Sequence, residues 1–79
     1  MLSDLQAEAQ EAAKQAAQQE AQAKARADNC ARARQSKTTY DSGVRIARTD
    51  AKGEREFIDD ATRAAESRRL QGIIASDCR

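Results

Sequence analysis

Apolar positions in the first part of the chain recur at alternating intervals of three and four residues: Leu2, Leu5, Ala9, Ala12, Ala16, Gln19, Ala23, Arg26, Cys30 and Ala33. This is a heptad track, and it predicts one long helix with a single seam. Between Ser3 and about Thr38 there is no glycine or proline, and the strong helix formers alanine, glutamine, glutamate, lysine and arginine dominate. Ser3 and Gln6 fit a capping box at its start. The knobs are mostly alanine, which permits close helix approach but buries little area. The track therefore predicts weak self-association of residues 2–25, through Leu2, Leu5, Ala9, Ala12, Ala16 and Ala23, or else an exposed helical spacer.

Helical character fades at Lys37-Thr38-Thr39-Tyr40, and Asp41-Ser42-Gly43 is turn chemistry. The period then changes. Val44, Ile46 and Arg48 alternate with Arg45, Ala47 and Thr49, and a second alternating run extends from Glu54 to Ile58. Asp50-Ala51-Lys52-Gly53 between them has an aspartate able to bond the turn and a glycine for positive φ, which predicts a β-hairpin. Pairing across that turn places Ile46 near Phe57, making one apolar patch on an otherwise charged ribbon. The resulting apolar patch must then pack on a helix, because an isolated hairpin is marginal in water.

Asp59 and Asp60 open a second helix, as residues that accept from free amides and favour the positive end of the dipole. Read as a carboxylate pair for metal or acid–base work, they lack a third ligand. Ala61, Ala64, Ala65, Leu70, Ile73, Ile74 and Cys78 mark its apolar side, interrupted by Arg68 and Arg69. That face suits antiparallel packing on the first helix around Cys30. The predicted fold is mainly α: a long N-terminal helix, a short β-hairpin, and a second helix packed antiparallel on the first. Residues 1–25 form a helical extension, and residues 26–79 the stapled helix-hairpin-helix module.

Composition sharpens this reading. The chain has 79 residues, few large apolar side chains and 3% aromatic content, so its core is thin and its entropy cost is hard to offset. Small domains of this kind use staples. Cys30 and Cys78 are the only cysteines and read as one cross-link, worth roughly 4 kcal/mol in the chain-entropy model; two reduced thiols are the alternative. A bridge implies an oxidising compartment, periplasmic or secreted. No apolar segment reaches the length of a membrane span, and Met1-Leu2-Ser3-Asp4 does not begin as a secretion signal. An exported form would have lost its signal or come from a longer precursor.

Charge and motifs narrow the function classes. The net charge is +1, with 14 Lys and Arg against 13 Asp and Glu, so no strong overall field favours nucleic acid or an anionic membrane. Residues 25–40 lean basic and 41–60 acidic, which allows the two stretches to face each other. There is no histidine, no C-x-x-C, no phosphate-binding glycine loop and no aromatic stacking platform. No cofactor, metal or enzymatic activity is expected. Exposed candidates for a protein contact are Arg45, Arg48, Arg55 and Glu56. A different class, a small nucleic-acid-binding regulator, would use Arg26, Arg32, Arg34, Arg68 and Arg69 and bind duplex in a salt-sensitive way.

Three segments carry a resemblance: Asn29-Cys30-Ala31-Arg32-Ala33-Arg34, Gly43-Val44-Arg45-Ile46-Ala47-Arg48, and Gly53-Glu54-Arg55-Glu56-Phe57-Ile58-Asp59-Asp60, followed by a helix ending in Asp77-Cys78. Over roughly residues 20–79 the chain resembles the C-terminal part of a family of proteobacterial envelope proteins classed as a domain of unknown function. Its members have a secretion signal, a short β-rich domain, a polar linker, an Ala/Gln/Arg-rich helix and a two-cysteine tail, of which the helix and tail match here. The resemblance implies export and a Cys30–Cys78 bridge; the tail would then offer its charged hairpin surface to another envelope protein. The resemblance implies no catalytic residues.

Overall fold

The computed structural model describes residues 2–79, with only the backbone of Leu2. Four elements follow in order: helix α1 (Leu2–Asp41), strand β1 (Ala47–Thr49), strand β2 (Arg55–Phe57) and helix α2 (Asp60–Asp77). The two helices pack on each other, the strands form a two-stranded antiparallel hairpin, and Cys30 is bonded to Cys78. The molecule measures 65 × 30 × 14 Å, with a radius of gyration of 20.5 Å, against roughly 12 Å for a compact chain of this length. The elongation comes from α1, whose 40 residues span about 60 Å.

Residues 3–28 of α1 are exposed on every side. Alanine, glutamine and glutamate sustain such a helix without tertiary support once it exceeds about 15 residues. Leu5, Ala9, Ala12, Ala16 and Ala23 lie on this free arm, while the Leu2 side chain lies outside the described residues. The predicted capping box does not form. Ser3 is already helical, the second residue of a helix that begins at Leu2, and so lies inside the position from which an N-cap hydroxyl reaches backbone amides.

The helical pair meets along two stripes with three- and four-residue spacing. On α1 they are Asn29, Cys30, Ala33, Ser36, Lys37 and Tyr40. On α2 they are Arg63, Glu66, Ser67, Leu70, Ile73, Ile74, Asp77 and Cys78, all at least partly covered. Among the described residues only Ala33 and Leu70 are buried, each 4% exposed. The apolar side expected of α2 is thus displaced: Ala61, Ala64 and Ala65 face solvent. Alanine loses little by exposure, whereas Arg63 and Ser67 find hydrogen-bond acceptors on α1, and those bonds set the rotation of α2.

Both junctions follow their turn chemistry. Gly43 at φ +81° terminates α1, with the Ser42 amide donating to the Thr38 carbonyl at 3.0 Å. In the hairpin loop the Asp50 carboxylate accepts from the amides of Lys52 and Glu54, each at 2.9 Å, and Gly53 takes φ +82°. Asp59 caps α2, its carboxylate accepting from the Thr62 amide at 2.7 Å.

The hairpin register departs from the expected one. Asp50 itself pairs with Glu54, its amide donating to the Glu54 carbonyl at 2.8 Å, so the loop holds three residues and the pairing shifts by one. Phe57 lies opposite Ala47, and the Ile58 amide donates to the Ile46 carbonyl at 2.9 Å. Because side chains alternate between faces, Phe57 is separated from Ile46 and Ile58. Neither strand packs against a helix, contrary to the expectation that the apolar patch would. The hairpin is held at its base instead, by half-buried Ile46 and Ile58 and by Arg63. That guanidinium donates to the Tyr40 carbonyl at 2.7 Å and to the Val44 carbonyl at 2.5 Å.

A core this small makes the cross-link decisive. The double substitution Cys30→Ser/Cys78→Ser, or reduction, is expected to lower stability by about 4 kcal/mol. Circular dichroism should then lose the α2 contribution while the α1 arm stays helical. Leu70→Ala in the oxidised protein should cost about 2–4 kcal/mol in a denaturant titration, whereas Ala64→Ser should change stability by less than about 0.5 kcal/mol.

Candidate interaction surface

The alternation of the hairpin sorts its side chains onto two faces. One carries Arg48 opposite Glu56, whose charged groups approach to 3.6 Å with both side chains about half exposed. Such a pair is worth at most about 1 kcal/mol and neutralises that face. The other carries Arg45, Ala47 and Thr49 from the first strand with Arg55 and Phe57 from the second. Here the Arg45 guanidinium lies 3.8 Å from the centroid of the Phe57 ring, a cation–π contact that orients both groups.

Phe57 remains 56% exposed and Val44 51%. Arg45 and Arg55 have no carboxylate partner among the described residues. A shallow dimple of about 100 Å³ lined by Ala47, Arg55, Glu56 and Phe57 opens beside the ring. An aromatic ring between two unpaired arginines is the composition enriched at binding hot spots. Of the four residues singled out from sequence, Arg45 and Arg55 converge on this face, while Arg48 and Glu56 pair on the opposite one. Phe57, the centre of this face, is expected from sequence in a patch packed on a helix; the three-residue loop turns it outward instead.

Further depressions are open grooves along the helical pair. One, about 570 Å³, is lined by Gln22, Arg26, Asn29, Arg32 and Asp77; another, about 610 Å³, by Tyr40, Asp60, Arg63 and Arg68 among others. The arginines of the nucleic-acid reading are spread over separate grooves: Arg26 and Arg32 line the first, Arg34 one beside Cys78, and Arg68 the one at Tyr40. Arg69 is engaged by Glu66 at 2.8 Å, which raises its pKa. The basic and acidic stretches do not face each other as blocks; Lys37–Asp41 is a local pair within α1. Among the described residues no three potential metal ligands converge.

Three carboxylates fasten the platform. Asp77 accepts from the Asn29 amide group at 2.5 Å, beside the cross-link. Asp41 accepts from Lys37 at 2.5 Å and from the Ser67 hydroxyl at 2.8 Å, tying the end of α1 to α2. Asp59 caps α2. Each is held below the ordinary carboxylate range: Asp77 chiefly by Asn29, Asp41 chiefly by Lys37 and Asp59 chiefly by the Thr62 amide.

No protein-family model matches the chain, and neither the curated proteins nor the solved structures contain a significant match to it.

A carboxylate with a lowered folded-state pKa stabilises the fold above its unfolded value of about 3.9 and loses that contribution as pH falls. Stability of the oxidised protein should therefore be nearly flat from about pH 5 to 8, where no histidine titrates, and decline below about pH 4. Asp77→Asn combined with Asp41→Asn should flatten the acid limb in denaturant titrations across pH.

Proposed function

We propose that the chain is a non-enzymatic structural and interaction module of the bacterial cell envelope, periplasmic or secreted, in which a helical spacer carries a disulfide-stapled tail that binds another protein. The observation carrying this reading is the half-exposed Phe57 ring beneath Arg45 and next to Arg55, on a hairpin that packs against neither helix. An apolar ring left in water on a small protein gains most by docking against a partner. The cross-link supports the oxidising location, as does the resemblance of its two-cysteine tail to envelope proteins.

A second reading, a self-assembling subunit of an extracellular or periplasmic oligomer or filament, is favoured by the free arm. Leu5 is 63% exposed there, on a track whose spacing suits helix pairing.

The test is photo-crosslinking in envelope extracts with a photoreactive residue at Thr49, beside the ring. A discrete adduct that disappears with Phe57→Ser and Arg45→Glu, in variants with unchanged circular dichroism, is the expected result. Adducts indifferent to both substitutions would refute the hairpin as the binding surface.

A further inference from the structure

The hairpin face has a chemical complement within the chain itself. Residues 2–25 carry four acids, Asp4, Glu8, Glu11 and Glu20, against Lys14 and Lys24, a net −2, so with +1 overall the remainder carries +3. Asp4, Glu8 and Glu11 are spaced at i, i+4 and i+7 within helical backbone, which gathers them into one stripe. Leu5, Ala9 and Ala12 run beside it, again on fully exposed helix. These three acids form no ion pair among the described residues. The arm therefore presents an apolar track edged with unpaired negative charge.

The hairpin presents the inverse: Phe57 and Ala47 edged by the unpaired guanidinium groups of Arg45 and Arg55, with a dimple of about 100 Å³ beside the ring. Leu5 is the large exposed side chain on the arm suited to that dimple. Arm and hairpin sit at opposite ends of α1. Glu11 and Asp41 are separated by 30 positions of continuous helix, about 45 Å, so no molecule reaches its own hairpin with its own arm.

We infer that the cationic, aromatic hairpin face binds the acidic N-terminal arm of a second copy of this chain, joining copies head to tail. This rests on the hairpin face being a docking surface and names its occupant. Each copy uses one arm and one hairpin, so the contact is heterologous; it extends into open chains unless the rotation between copies closes a ring. It differs from arm-to-arm coiling, which would leave the hairpin unused and stop at a small bundle. The contact is small, so it forms at high local concentration and weakens with salt.

Two charge-reversed versions of the full oxidised chain test it: Arg45→Glu/Arg55→Glu, and Asp4→Lys/Glu8→Lys/Glu11→Lys. In sedimentation velocity at low salt, from about 10 μM to about 1 mM, the unaltered protein should grow in mass with no plateau at the dimer. Each variant alone should stay monomeric, its arm and hairpin now sharing one sign. Mixed in equal amounts they should associate again, because acidic arms then meet basic hairpins and basic arms acidic ones. Phe57→Ser should weaken assembly about tenfold. Monomers throughout the series for the unaltered protein would overturn the inference while leaving a foreign partner, read by the crosslinking above, unaffected. Association abolished by the arm variant but untouched by the hairpin variant would overturn it in favour of arm-to-arm pairing.

Discussion

The bond between Cys30 and Cys78 is the constraint on which the rest of the molecule depends. It joins α1, eleven residues before that helix ends, to the residue that closes α2, with the two Cα atoms 5.0 Å apart. Between that tie and the turn at Gly43, the interface buries only Ala33 and Leu70. Burial of two side chains is small beside the cost of ordering an 18-residue helix. The cross-link lowers that cost by restricting the unfolded chain, and the polar contacts then select one arrangement. Asn29 with Asp77 fixes one end, Ser67 with Asp41 and Arg63 with the Tyr40 carbonyl the other. None of these bonds is deeply buried, so their role is directional more than energetic.

The elements were legible in the sequence because each had a strong local cause. Uninterrupted helix formers produce α1, Gly43 and Gly53 supply the two left-handed positions, and Asp59 caps α2. The pairing of the cysteines was legible because no other partner exists. What failed was everything that turns on one residue of phase. Counting Asp50 as loop instead of strand end moved Phe57 to the wrong face of the hairpin, and with it the expected core. The apolar side of α2 was misplaced for a related reason: alanines indicate tolerance of burial, not demand for it, while Arg63 had a demand that only the carbonyls at the end of α1 could meet. No pattern within α2 reveals an acceptor on another element. The candidate surface was half legible, since exposure of Arg45 and Arg55 was evident but their convergence on an aromatic ring depends on the register.

That register has a functional consequence. A hairpin whose large apolar residue points away from the helices contributes little to the core, and a chain so poor in apolar area has few such residues to spare. Arg45 limits the penalty by covering one side of the ring, leaving the other side open. The stapled helices hold the base of the hairpin through Arg63 and Ile46, so the ring is presented in one orientation and little entropy remains to be lost on docking. Stapling and exposure are thus linked: because the covalent bond relieves the hairpin of core duty, its face is free to bind.

The arm completes the same logic at the other end. A helix exposed over residues 3–21 survives by its own propensity, and its acids Asp4, Glu8 and Glu11 form no ion pair among the described residues. Its continuity with the stapled segment makes it a rigid lever, so a contact made at one end is transmitted over the full 65 Å of the molecule as a fixed direction. Two complementary surfaces on a rigid body, too far apart to satisfy each other, find their complement only on another molecule. In the head-to-tail assembly we propose, distance along a single uninterrupted helix, more than the affinity of either surface, is what directs each surface to another copy.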